Sequence, residues 1–289
     1  LNLELPMKSY RHILAAIDGS PVSLHALEQA LKFTGCQLTI AAVVPPLPGD
    51  LKDTAPEVES RLQAPYKHAL AQCQKLAQAR GLPLTTLLIK GEPHEAISVA
   101  AREQGCDLVV IGKRGHHLPP GARMGRVTER VIGFCPTDVL VVPARGTLNL
   151  DRLLLPVDGS RFSRQATERA LSLAAADTTL LVVSVLDAPP GFVTEVPEIA
   201  RDLLNSLEEL VAEVARQAAN RGLPCETRVA VGPAYRTIVE MAGEWGAGLI
   251  VMGSHGRTGL KRLLMGSVTE RVVGQAPCPV LVVKADQRL

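Results

Sequence analysis

Three glycines and a serine in the stretch GSHGRTGLKRLLMGS, residues 253–267, stand where a phosphate-binding loop needs them. Gly253 ends the apolar run LIVMG, Gly256 follows after two residues, and Gly266-Ser267 follows after nine more, at the head of the helical pattern SVTERVVG. Glycine lets backbone N–H groups approach an anion with no Cβ in the way. A helix N-terminus adds unpaired N–H groups and a partial positive charge. The chemistry of this set is anion binding. Ser267 with Glu270 three residues on also spells a capping box, which starts a helix with no ligand present. That second reading accounts for Ser267 but requires neither Gly253 nor Gly256.

Asp158, in the run RLLLPVDGS, is the other chemical candidate. An Asp before Gly-Ser often forms a turn by bonding its own backbone two residues on. Beside a phosphate loop it is also a hydrogen-bond acceptor for the base or sugar of a nucleotide. An acid suits that end of such a ligand and repels the phosphate end.

These residues need elements to bring them together. Short β-branched runs alternate with longer amphipathic ones, the signature of a parallel sheet covered by helices. The runs predict strands at Ile13–Asp18, Leu38–Val44, Leu84–Lys90, Leu108–Gly112 and Asp138–Pro143. They predict five more at Leu153–Asp158, Leu180–Leu186, Glu226–Val231, Leu249–Gly253 and Pro279–Lys284. Ser20-Pro21 caps and opens one helix, and Arg80-Gly81 closes another. The class is α/β, with doubly wound five-stranded parallel sheets. Such sheets bind ligands beyond the strand C-terminal ends, where the strand order reverses. In the order 3-2-1-4-5, strands 1 and 4 are neighbours at that point, so Asp158 and Gly253 face one crevice. Asp18 and Gly112 are placed alike.

The chain repeats itself. HILAAIDGS from His12 returns as RLLLPVDGS from Arg152, GRVTERVIG from Gly125 as GSVTERVVG from Gly266, and VLVVPA from Val139 as VLVVKA from Val280. A period of about 140 residues is a duplicated domain, since solenoid units run to about 20–50. Two tandem domains are expected, 1–146 and 147–289, joined through Arg145–Asn149. Each closing strand is an unbroken β-branched run without the charges or bulges that protect an exposed edge. Packing of the two domains as a pseudo-dimer through these strands is the expectation.

Composition excludes several classes. With 46% hydrophobic and 21% charged residues and a formal net charge of +2, the chain lacks the clustered positive charge of a nucleic-acid binder. Six cysteines form no C-x-x-C pair and read as reduced thiols, and seven histidines show no H-x-x-x-H spacing, so no metal site is expected. No apolar run approaches the ~20 residues of a membrane span, and no signal-peptide pattern is seen, so no membrane association and a cytoplasmic location are expected. MKSYRHILAAIDGS from Met7 looks like a natural start, and the six residues before it are set aside from the fold.

The pattern Gly-x2-Gly-x9-Gly-Ser, the IDGS and VDGS strand endings and the closing run CPVLVVK together resemble the universal stress proteins, in their tandem two-domain form. The resemblance covers nearly everything from Met7 to Ala285 and points to the ATP-binding branch. It implies an adenine nucleotide, ATP with or without Mg²⁺. Pro156 and Asp158 would follow strand 1, Val185 would sit by the adenine, Gly253 and Gly256 near the ribose, and Gly266, Ser267 and Val268 at the phosphates. It also implies dimer formation, between the two domains or between chains as a homodimer. The first repeat departs from the pattern. In GKRGHHLPPGARMGR, Gly112, Gly115 and Gly125 keep their spacing, but Arg126 replaces the serine and Pro119-Pro120 stiffens the loop. His116, His117, Lys113, Arg114 and Arg123 read there as a solvated loop.

No Walker lysine is present, one Asp makes a thin metal site, and His255, Arg257 and Lys261 are the nearby groups that could touch phosphate. The expected role is therefore binding without dedicated catalysis, in a regulatory protein of the stress response whose ATP occupancy alters loop order and partner binding. A nucleotide-free scaffold is the alternative, and a slow ATPase comes third. The protein partner is unknown.

Overall fold

Runs of Val, Ile and Leu that close on Asp or Gly become buried strands, and the amphipathic runs between them become covering helices. The computed structural model describes residues 5–6, 10–46, 56–79, 83–116, 123–256 and 265–284. In the first unit, residues 1–144, the elements in order are β1 (Leu5–Pro6), β2 (His12–Ile17), α1 (Pro21–Ala30), β3 (Phe33–Thr34), β4 (Gln37–Val44), α2 (Pro56–Gln78), β5 (Leu84–Lys90), α3 (Pro93–Glu103), β6 (Leu108–Gly112), α4 (Arg126–Phe134) and β7 (Asp138–Val142). In the second, residues 145–289, they are β8 (Arg152–Pro156), α5 (Arg161–Leu173), β9 (Thr179–Leu186), α6 (Phe192–Glu195), α7 (Pro197–Ala219), β10 (Cys225–Val231), α8 (Ala234–Trp245), β11 (Leu249–Gly253), α9 (Ser267–Gln275) and β12 (Val280–Val283).

All ten expected strands form, with ends within two residues of those read from the sequence. The first sheet runs β5-β4-β2-β6-β7 and the second β10-β9-β8-β11-β12, every pair parallel. Each is the order 3-2-1-4-5. Strands 1 and 4 are buried residue after residue, as in Ile13–Ile17 and Leu249–Gly253, because helices cover both faces. The third strands β5 and β10 lie at an edge and expose part of their side chains.

The Asp-Gly-Ser triplets make the turn from strand 1 into the next helix. Asp158 Oδ1 accepts from Ser160 N at 3.0 Å, Gly159 takes φ +79°, and Ser160 Oγ caps α5 by accepting from Ser163 N at 3.1 Å. The first unit repeats the device with Asp18, Gly19 at φ +83° and Ser20, as the expected Ser20 cap of α1 requires. A side chain is rarely tolerated at such a φ, so glycine is needed between the acid and the cap.

Leu5 and Pro6, set aside on sequence grounds, pair in parallel with Phe33 and Thr34 and so belong to the fold. The helix end expected at Arg80-Gly81 lies outside the described residues. Its repeat partner Gly222 does take a left-handed φ of +71° just past α7. Among the described residues no helix is long and apolar enough to cross a membrane.

Candidate functional site

Beyond the ends of β8 and β11 the second unit holds a cavity of about 460 Å³, within the range of small-molecule sites. Pro156, Asp158, Val185, Gly253, Gly256, Gly266, Ser267 and Val268 all line it. These residues come from three strand ends and a helix start.

The glycines serve the chain's own packing. A Cβ on Gly253 would stand 2.7 Å from Phe162 Cβ and 2.8 Å from the Phe162 carbonyl carbon, so this glycine lets α5 cross the end of β11. A Cβ on Gly256 would meet Asp158 Oδ2 at 2.8 Å, and one on Gly266 would stand 3.2 Å from His255 Cα. The first unit has matching reasons. Gly112 faces the backbone of Val22 at 3.2 Å, and a Cβ on Gly115 would run into Asp18 Oδ2. The shared glycine spacing therefore brings loop, acid and helix into close approach before any ligand is considered.

The helix start corrects the capping-box reading. Gly266 is the N-cap of α9, with no side-chain cap bond, and Ser267 is the first helical residue. The N–H of Gly266 is already spent on Ser254 O at 2.9 Å. The orphan donors at the cavity are then the N–H groups of the first turn, from Ser267 onward, with the exposed Ser267 side chain beside them. In the first unit Gly125 caps α4 in the same way and Arg126 is the first helical residue. The exchange of serine for an exposed arginine thus leaves the cap unaltered.

Thr269 fixes this helix end. Its buried hydroxyl donates to Gly253 O at 2.9 Å, joining the first turn of α9 to the end of β11. Thr128 does the same to Gly112 O at 2.9 Å. Sequence reasoning missed both, although the VTER shared by the repeats was a usable signal.

Val185 presents its backbone to the cavity. Strand β8 ends its ladder with β9 at Pro156 opposite Val183, whose carbonyl accepts from Val157 N at 2.8 Å. Alternate residues of a strand turn their backbone groups to the same side. Val185 therefore directs an N–H and a C=O past the end of β8, into the crevice. Also missed were Asp187, Leu203, Ser206, Leu207, Ala234 and Ile238, which line the cavity from the end of β9 and from α7 and α8. His255, expected near phosphate, lines it too, with its ring 5.2 Å from that of Phe162. Arg257 and Lys261 lie outside the described residues, as do His117 and Pro119-Pro120.

At the corresponding turn of the first unit, Asp18 Oδ2 accepts from His116 N at 3.3 Å. Burial pushes the Asp18 carboxyl up, but hydrogen bonds from Ser20 and Ser23 and the nearby His116 outweigh it, holding the group below its ordinary range.

The universal stress protein family model matches residues 9–143 and again 149–284. The chain belongs to the universal stress protein family. It carries two such domains in tandem. It is similar to a universal stress protein of Methanocaldococcus jannaschii, 37% identical over 143 residues, 47% of this chain and 84% of the relative. A longer alignment joins this tandem universal stress protein to one from Mycolicibacterium smegmatis, 31% identical over 234 residues, 75% of this chain and 76% of the relative. The crystal structure of a universal stress protein from Archaeoglobus fulgidus covers 99% of this chain and is itself covered completely, with a TM-score of 0.72 at 19% identity, a likeness of fold.

Proposed function

We propose that the second domain binds an adenine nucleotide, ATP, and that the chain is a cytoplasmic regulatory protein that responds to nucleotide occupancy. What supports this is one observation: residues picked for anion and base contacts, scattered from Pro156 to Val268, line one cavity of nucleotide-accepting size. On this reading the cavity would have two chemically distinct ends. At one, the first-turn N–H groups of α9 and the Ser267 hydroxyl would hold phosphate oxygens, aided by the positive end of the helix. At the other, the Asp158 carboxylate would accept from ribose or base, and the Val185 backbone would offer a donor and an acceptor to the purine edge. Among the described residues no cluster of three His, Cys, Asp or Glu could hold a metal ion. Mg²⁺ would arrive with the triphosphate.

Mass spectrometry of ligand released from the purified chain, followed by ATP titration, tests the reading. A nucleotide-free chain with no saturable ATP binding overturns it in favour of the scaffold role. The packing duties of Gly253 and Gly256 suit that second reading, because they explain the glycines with no ligand.

A further inference from the structure

In the second unit α7 stands off from the Asp-Gly-Ser turn. A Cβ on Gly159 would stand 3.8 Å from Leu210 Cδ2, so the length of a leucine side chain separates helix from turn. Leu203, Ser206 and Leu207 of the same helix line the cavity left beneath it. In the first unit α2 occupies this place with the same length and the same Pro-Glu start, but the facing residues differ. Ala69 replaces Leu210, Tyr66 replaces Leu207 and Pro65 replaces Ser206.

The consequence is visible at Gly19. A Cβ there would stand 3.3 Å from Ala69 Cβ itself, so the backbone of α2 lies closer to the turn than that of α7 does. Proline inside α2 removes a backbone donor and bends or weakens the turn before it. Tyr66 is half-buried, and burial first and then the charge of Asp18 raise its phenol pKa above the ordinary value. His116 also comes close to the turn, with Nε2 3.9 Å from the Gly19 Cβ position. Arg126 stands at the start of α4, where Ser267 stands on α9.

The geometry points to a first-domain crevice closed by its own side chains, with Tyr66 and Ala69 on the covering helix and Arg126 at the helix start confining the nucleotide to one site per chain. This rests on the nucleotide reading of the second domain and adds the residues that exclude the first.

ATP stoichiometry on the full chain, by calorimetry or equilibrium dialysis, tests it. The native chain should bind one ATP. A value of zero overturns the nucleotide reading and this inference with it, whereas two overturns this inference alone. The triple variant Tyr66→Leu, Ala69→Leu, Arg126→Ser carries the second repeat's residues and should bind two, and a folded variant that still binds one overturns the assignment. The reverse exchange, Leu207→Tyr with Leu210→Ala, should lose the single site while keeping native circular dichroism. A folded reverse variant with unchanged ATP affinity overturns it even if the triple variant does not fold.

Discussion

Gly253 and Gly266 look equivalent in the sequence motif but differ in what a side chain would meet. At Gly253 the obstacle is the backbone of Phe162. Gly253→Ala should therefore lower the stability of the second unit by about 1–3 kcal/mol, the usual range for overpacking, seen as a lower urea midpoint with or without ligand. At Gly266 a side chain would meet the backbone of the loop, with its Cβ 3.2 Å from His255 Cα and 3.5 Å from Gly256 N, so a branched one would displace that loop at the helix start. Gly266→Val should abolish ATP binding in a protein that keeps its circular dichroism, and retained affinity would place the phosphates elsewhere. Asp158 Oδ1 already holds the Ser160 N–H, so in the proposed site the carboxylate would serve both turn and ligand. Asp158→Ala should weaken ATP binding by about 1 kcal/mol for a lost hydrogen bond and also loosen the turn, whereas Asp158→Asn keeps an acceptor for the turn. Asp18 adds a pH signature. Because its carboxyl is held down in the folded protein, its contribution is full above the unfolded carboxylate range near pH 4 and is lost as pH falls through the lower folded value. Asp18→Asn should flatten the acid limb of stability in urea titrations between about pH 2 and 5.

The threonine tethers are the joints between helix start and strand end. Thr269→Val leaves Gly253 O without its partner and should destabilise by about 1–3 kcal/mol while also weakening ATP binding, because the first turn of α9 loses its anchor. Thr128→Val should show the stability loss alone. Equal loss of ATP affinity in the two variants would contradict the asymmetry between the domains. At this scale much was legible in the sequence. Runs such as LIVMG and LVVIG, bounded by Gly or Asp, specify buried parallel strands, and the strand order places Asp158 opposite Gly253. Three parts were not legible, for physical reasons. Leu207 and Ile238 line the cavity with side chains that any buried helix face would carry. Val185 contributes a backbone edge, which leaves no mark on residue type. The capping role fell to Gly266 in place of Ser267 because both types serve as N-caps, and only the backbone angles decide between them.

For the molecule as a whole, reactivity should be low. ATP turnover should fall orders of magnitude below the 1 s⁻¹ or more common among enzymes, and a sustained rate in that range, lost on Ser267→Ala, would replace the binding reading with a catalytic one. Burial pushes the Cys73 thiol up to about 11 and the Cys106 thiol up to about 12, so both stay protonated at neutral pH. Alkylation of these two by iodoacetamide should be slow in the native chain and rapid in urea, and quick labelling of the native chain would place them in a mobile part of the fold.

The close approaches at the glycines bear on how duplicated proteins drift. When one copy of a domain stops using its ligand, selection releases whatever only the ligand required, but it keeps whatever the chain's own contacts require. Gly112 and Gly115 are of the second kind, held by Val22 and Asp18 in a domain with an arginine where its sibling has Ser267. The glycine spacing is therefore a poor witness to occupancy, because the chain's own contacts would preserve it whether or not a ligand binds. A better witness is the helix that roofs the crevice, where exchanging leucine for alanine or tyrosine changes whether there is room for a guest.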